Sequence, residues 1–272
     1  MNNDLTIITT DAGKSYITYY MLSSLLKLNL NVEIIVLCNK QNKYLKMLDE
    51  FKDRVTFIHD FKLTKNIPNI HEKHMVSFME LLKHVKTDYV FFCDNDVIFT
   101  EEFKKYLDIY QNYDIVAQQD NLEHVLKYFV KDIYMYDNNI VVKNENKSNI
   151  YVDNPYYKNI EFAGRYNFLN KYRTQSGMII EVMDRFLPYH IFMNVNKLKT
   201  IELYNPKFEI GYSVKDRILC DSFSTLTFNA RKKEFNVLYT NFENAVKHIR
   251  SGTWYRSKAQ FETRLKELNY FQ

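Results

Sequence analysis

The run Asp88-Tyr89-Val90-Phe91-Phe92-Cys93 constrains this chain more than any other stretch. It leaves no polar face to turn toward water, so a strand here is buried on both sides, as at the centre of a parallel sheet covered by helices. The sequence before it alternates in the way such a sheet requires. LTIIT from Leu5, VEIIVLC from Val32 and VTFIHDF from Val55 are short runs rich in apolar and β-branched residues and read as strands. Between them, Ser15 to Leu30 carries Ile17, Met21, Leu22, Leu25 and Leu26 at helical spacing, and Tyr44 to Phe51 reads as a second helix. Asn69, with Glu72 three residues on, makes a capping-box pattern for a third helix reaching about Val85. The order β-α-β-α-β-α-β predicts an α/β fold with a doubly wound, mainly parallel sheet flanked by helices.

After Thr100 a helix is expected to about Tyr110, and YDIVAQ from Tyr113 reads as a strand. Asp120 to Arg173, rich in Asn, Tyr and Lys with weak periodicity, is expected to be an insertion of short helices and loops covering a site. Beyond it the pattern predicts a strand from Gln175, a helix from Asp184, a helix over Lys215 to Lys232, EFNVLY as the last strand and a terminal helix from Ser257 to Leu268. No Pro/Gly/Ser linker interrupts the 272 residues, which points to a single domain with an insertion.

Composition removes several alternatives. Gly13, Gly164, Gly177, Gly211 and Gly252 are the only 5 glycines, too scattered for a G-x-G-x-x-G or Walker loop. A net charge of +4 is too weak to argue for nucleic acid, so no nucleic-acid partner is expected. The positive residues do gather between Arg231 and Lys266, which suits either an anionic ligand or a solvated helix face. Cys38, Cys93 and Cys220 stand in apolar runs, as reduced core thiols of a cytoplasmic protein would. The start MNNDLTIITT has no signal-peptide pattern, and no apolar run approaches the roughly 20 residues of a membrane span. The Asn146-Lys147-Ser148 sequon therefore reads as coincidence.

Asp94-Asn95-Asp96 follows the central strand directly. Ligands of open parallel sheets bind outside the carboxyl ends of the strands. Two carboxylates one residue apart at that edge can share a hard cation, Mg²⁺ or Mn²⁺, able to neutralise a diphosphate. An acidic turn is the plainer account of the same residues; the apolar Val97-Ile98-Phe99 after them favours the site. Thr9, Thr10 and Asp11 end the first strand and fall at the same edge, where they suit nucleotide contact or a turn with a helix cap. His74 and Ser77, one turn apart on the third helix, suit contact with a nucleotide or ribose, or a structural role.

The segment TDYVFFCDNDVIFTEEF resembles the D-x-D region of GT-A-fold glycosyltransferases, the family-2-like nucleotide-sugar enzymes in particular, and LTIITTDAGKSYITYYMLSSLL resembles that fold's first strand and helix. Three later segments are similar to motifs of the family: Lys247 to Trp254 to a metal-histidine segment, Asp221-Ser222 to a D-[ST] element beside the acceptor, and Gln175 to Met178 to the strand flooring the acceptor cleft. The resemblance implies transfer of a sugar from a nucleoside-diphosphate sugar, a UDP-sugar favoured, to an acceptor hydroxyl on a glycan, protein or small molecule. It implies Mn²⁺ or Mg²⁺ on Asp94, Asp96 and His248, and, with His74 taken from its place on the third helix, the candidate donor contacts are Thr9, Thr10, Asp11, His74, Asp94, Asn95, Lys247 and Arg250. It divides the chain into a nucleotide-sugar half (1–118), an acceptor half with the insertion (119–240) and a C-terminal metal-histidine segment with a helix (241–272). For an inverting reaction Asp221, with Asp216 in reserve, is the candidate base. A sugar-phosphate nucleotidyltransferase and a non-catalytic carbohydrate-binding relative remain alternatives. TTDAGKSY lacks the Gly-rich basic loop of the former, and the intact D-x-D argues against the latter.

Two other likenesses fail on particular residues. His71-Glu72-Lys73-His74 is one residue short of the H-E-x-x-H of zinc proteases. DNDVIFT is similar to the haloacid-dehalogenase phosphatase motif but has Ile98 where that motif carries Thr or Val, and it follows the fourth strand rather than the first. The 22 Tyr and 20 Phe, alongside many Asn, Lys and Ile, are what an AT-rich coding sequence produces, so most belong in the core. Tyr134, Tyr136, Tyr151, Tyr156, Tyr157 and Tyr166 crowd the insertion, where rings can pack on sugar faces.

Overall fold

A computed structural model describes residues 4–68, 70–119, 133–136, 139–142, 169–174, 179–183, 186–205, 212–213, 218–219, 222–240, 242, 244–249 and 257–270. The first half follows the alternation in the sequence: β1 (Leu5–Asp11), α1 (Ser15–Lys27), β2 (Glu33–Cys38), a 3₁₀ segment (Leu45–Phe51), β3 (Thr56–His59), α2 (Ile70–Leu82), β4 (Tyr89–Cys93) and β5 (Val97–Phe99). Two further 3₁₀ segments, Glu101–Asp108 and Tyr110–Asn112, stand where a helix was expected and lead into β6 (Ile115–Gln119). The remaining described elements are β7 (Ile133–Tyr136), β8 (Asn139–Val142), β9 (Leu169–Thr174), β10 (Ile179–Met183), β11 (Phe186–Asn194), the one-turn α3 (Val195–Leu198), β12 (Tyr212–Ser213), β13 (Ile218–Leu219), α4 (Ser224–Lys232), β14 (Val237–Tyr239), β15 (Val246–His248) and α5 (Lys258–Glu267).

The main sheet has seven strands in the order β14-β6-β11-β4-β1-β2-β3, with β4 at its centre. β4 runs parallel to β1, β1 to β2, β2 to β3 and β14 to β6. β11 is antiparallel to both neighbours, so it alone opposes the common direction. Side chains of successive strand residues face opposite layers. Ile7, Val36, Phe91 and Phe192 pack with Met21, Leu22 and Leu25 of α1. Ile8, Leu37, Phe92, Ile191 and Met193 pack with Met75, Phe78 and Leu81 of α2 and Leu226 of α4. This double cover is why Tyr89–Cys93 can be apolar throughout. Aromatic rings fill both layers: Phe91 lies 4.4 Å from Phe192, and Phe92 lies 5.2 Å from Phe78 (centroid distances).

Three expectations are corrected. The stretch from Asp184, expected to be helical, contains strand β11, whose residues 190–194 pair with 89–93 of β4. Ile191, Phe192 and Met193 are all buried, a both-faces burial that a central strand meets and an amphipathic helix does not. The register of β11 shifts between Phe186 and Ile191, a stretch containing Pro188, which has no N–H for a ladder. Lys215 to Lys232 is not one helix. β13 lies within it, and α4 starts only after Phe223, which adopts a left-handed conformation (φ 66°) that no continuing helix tolerates. Finally, the described part of 120–173 consists of strands rather than short helices. They belong to a six-stranded sheet, β12-β13-β10-β9-β8-β7, built from β-prone runs such as Ile133–Tyr136 and Asn139–Val142. Asn69 of the capping box, Gln175 to Met178, Cys220, and Tyr151, Tyr156, Tyr157 and Tyr166 lie outside the described residues.

Candidate functional site

β1, β2 and β4 present their carboxyl ends at one edge of the main sheet, and the D-x-D loop lies there, between β4 and β5. β5 is fully buried and anchored from α1, where Ser24 Oγ accepts the Phe99 N–H at 3.0 Å. Its other edge pairs with β15, which aligns His248 with Val97, Lys247 with Ile98 and Val246 with Phe99. The ladder continues at both ends. The Thr100 N–H donates to Ala245 O at 3.0 Å, and the Ile249 N–H donates to Asp96 O at 2.8 Å. This zipper sets His248 beside the loop, with its Nε2 3.1 Å from Asp96 Oδ1.

One ligand atom each from Asp94, Asp96 and His248 lies within 4.8 Å of the other two. Octahedral coordination at about 2.1 Å puts adjacent donors about 3 Å apart and opposite donors about 4.2 Å apart. The atoms of the triad lie close enough for one divalent cation to collect them after small side-chain adjustments, and two carboxylates with one imidazole are a donor set such a cation can take. The three expected metal-binding residues are therefore together.

Asn95, between the two acids, turns toward α1, its Nδ2 donating to Thr18 Oγ1 at 2.9 Å. His74 of α2 reaches the loop from the other side, its Nε2 3.2 Å from Asp94 Oδ1. Ser77 is buried, and its Oγ accepts from Asn39 Nδ2 at 3.3 Å, which ties α2 to the end of β2. At the end of β1, Thr9 and Asp11 are buried and Thr10 is half-buried. Asp11 takes up its carboxylate internally, accepting the Gly13 N–H at 3.0 Å and the Ser15 hydroxyl. Burial pushes its pKa up, against the lowering effect of those hydrogen bonds. Gly13 is required in this turn: its φ is +104°, and a Cβ there would meet Lys40 Cδ at 2.7 Å.

Lys247 alternates to the face of β15 opposite His248, where its ammonium lies 5.3 Å from the centre of the Tyr270 ring. Arg250, Asp216 and Asp221 lie outside the described residues, as do Gly252 and Trp254. Ser222, beside Asp221, is buried.

Sequence reasoning missed His190. It stands on β11 opposite Cys93, buried, with its Nε2 2.9 Å from Gln118 Oε1 of β6. Burial pushes its pKa down to about 3, helped by His248 and opposed by Asp94, so it is neutral at pH 7. A polar residue inside the apolar run FLPYHIFMN is the signal that would have exposed it, once that run is read as a strand. Cys93 is buried and its thiol pKa is raised well above the ordinary value by burial and then by Asp94, so it is a core thiol and not a nucleophile.

No family model matches the chain, and no curated protein matches it. Among solved structures, galactosyltransferase LgtC in complex with donor and acceptor sugar analogs aligns over 96% of this chain and 95% of that one, with 13% identity and a TM-score of 0.53. S. aureus TarS 1–349 in complex with UDP-GlcNAc aligns over 42% of this chain and 33% of that one, with 17% identity and a TM-score of 0.33. The bifunctional WbbM aligns over 89% of this chain and 40% of that one, with 15% identity and a TM-score of 0.44. The chain thus spans about a third of that TarS structure and 40% of WbbM, but nearly all of that LgtC structure. With β4 at the centre of a mostly parallel sheet and D-x-D at its carboxyl end, the chain has the GT-A type α/β fold, the architecture of LgtC.

Proposed function

We propose that the chain is a metal-dependent glycosyltransferase that moves a sugar from a nucleoside-diphosphate sugar, a UDP-sugar first among them, to an acceptor hydroxyl. The observation carrying this reading is the Asp94, Asp96 and His248 triad at the carboxyl end of the central strand. The likeness to LgtC, a galactosyltransferase holding donor and acceptor sugar analogs, supports it. As the bond from the sugar C1 to the diphosphate breaks, negative charge gathers on the leaving oxygens. A divalent ion, when bound, supplies stabilisation of that charge. Asp94, Asp96 and His248 are the residues that would hold it. The internal bonds of Asp11 support a role for it in shaping the nucleotide loop, with Thr10 the more open of the two threonines there. Asn95 holds the loop to α1 through Thr18. Arg250 is the candidate diphosphate clamp, while Lys247 serves at longer range from the far face of β15. Asp221, with Asp216 behind it, remains the proposed base if the reaction inverts the anomeric centre. The three-part division at 118 and 240 and a cytoplasmic location belong to the same proposal. Among the described residues no helix is long and apolar enough to cross a membrane.

The test is a melting series with UDP, GDP and their sugars, with and without Mn²⁺. Ligand far above its dissociation constant stabilises by a few kcal/mol. A rise in Tm with a nucleotide that needs Mn²⁺ and vanishes in Asp96→Ala supports the reading. No nucleotide effect at any Mn²⁺ concentration overturns it. Slow metal-dependent hydrolysis of the preferred donor then separates an enzyme from a binding protein.

A further inference from the structure

His74 lies outside the three-residue triad but touches one of its members. Its Nε2 is 3.2 Å from Asp94 Oδ1, on a helix whose Met75, Phe78 and Leu81 are completely buried. The ring has little freedom. It lies 5.1 Å from the Phe92 ring and 5.8 Å from the Phe223 ring, and the neighbouring Met75 Sδ accepts the Phe223 N–H at 3.4 Å. Its polar tip is buried and makes no aligned hydrogen bond, close as the Asp94 oxygen is. A buried N–H without an aligned acceptor is unfavourable, so a small rotation of the Asp94 carboxylate toward Nε2 is favoured.

We propose that His74 is a positioning residue for Asp94: its Nε2–H holds one carboxylate oxygen so that the group keeps the orientation in which it can ligate a divalent cation. The inference rests on the metal reading of the triad. Carboxylates that ligate metals are themselves hydrogen-bonded, and loss of such an outer partner typically lowers metal affinity about 10- to 100-fold. Here the partner comes from the helix immediately before the central strand, so the element that packs the sheet also orients the ligand.

The test uses Mn²⁺ alone, titrated into the full-length protein and followed by the electron paramagnetic resonance of the free ion. It compares wild type with His74→Phe, His74→Gln and His74→Ala, with the melting temperature and near-UV circular dichroism recorded for each. His74→Phe keeps a ring between Phe92 and Phe223 but removes the donor, and should weaken Mn²⁺ binding about 10- to 100-fold while remaining folded. His74→Gln restores a donor at similar reach and should recover most of the affinity. If His74→Ala fails to fold, the other two variants still decide the matter. Wild-type affinity in folded His74→Phe overturns the role of His74 and leaves the metal reading standing. Absence of Mn²⁺ binding by the wild-type protein overturns both.

Discussion

Asp94 and Asp96 are one residue apart, yet the fold holds them in opposite ways. The Asp96 side chain is 9% exposed and faces His248, which a strand from the far end of the chain delivers through the β5–β15 ladder. The Asp94 side chain is 29% exposed and faces His74, which comes from the helix just before β4. One acid is locked by long-range backbone pairing and the other is steered by a local helix. Asp96, less exposed and on backbone pinned to Ile249, has less room to turn when the cation leaves than the more exposed Asp94. Asp96 is therefore the anchor of the site and Asp94 its adjustable member.

The largest expected effect breaks that comparison at the anchor. Asp96→Asn should abolish Mn²⁺-dependent turnover, by about 10³-fold or more, because several kcal/mol of charge stabilisation are lost and each 1.36 kcal/mol is tenfold in rate. Asp94→Asn should lower turnover less and chiefly raise the Mn²⁺ concentration needed for half-maximal rate. Steady-state kinetics across a Mn²⁺ series checks both. Equal losses with equal Mn²⁺ dependence would remove the distinction between anchor and adjustable ligand.

His190 feels the two ends of the motif with opposite sign: His248 pushes its pKa down and Asp94 pulls it up, while burial sets the value near 3. Between pH 6.5, the ordinary value, and about 3, the unfolded chain binds a proton at this position that the folded protein refuses. Stability therefore falls as pH falls through that window, by about 2–3 kcal/mol between pH 7 and 4.5 from this residue. His190→Gln, which cannot take up that proton, should flatten this part of the profile in urea unfolding at the two pH values. An unchanged slope in His190→Gln would show that the proton uptake occurs elsewhere.

What the sequence disclosed follows the same division. β4, its place at the sheet centre and the D-x-D loop were legible because burial on both faces leaves an unmistakable apolar run at Tyr89–Cys93. The helix carrying His74 was legible from its spacing, although spacing cannot say that a particular side chain meets a particular carboxylate. Val246–His248 has a lysine at its middle and only three residues, and its strand character exists because β5 offers an edge. Only the resemblance of the segment starting at Lys247 pointed there. Phe186–Asn194 misled because Phe186, Leu187, Ile191, Phe192 and Met193 satisfy a helical period as well as a buried strand, and with β11 hidden, so was His190.

Asp11 is the control that sharpens the contrast, being a third carboxylate at a strand end that is satisfied by its own turn and faces no histidine of the triad. Burial raises its folded pKa above 3.8, so the folded state holds this proton more tightly than the unfolded one. The resulting stabilisation is fully present below pH 3.8 and is lost as pH rises through the folded value. In Asp11→Asn the amide oxygen can still accept the Gly13 N–H, and its nitrogen can donate to Ser15 Oγ. The variant should therefore lie within about 1 kcal/mol of wild type at pH 7, and should compare more favourably there than at pH 3.5. Its Mn²⁺ affinity without nucleotide should match wild type, unlike that of Asp96→Asn. A large loss of Mn²⁺ binding in Asp11→Asn would mean that the end of β1 takes part in the metal site, and that the asymmetry between Asp94 and Asp96 is set by three carboxylates and not by two histidines.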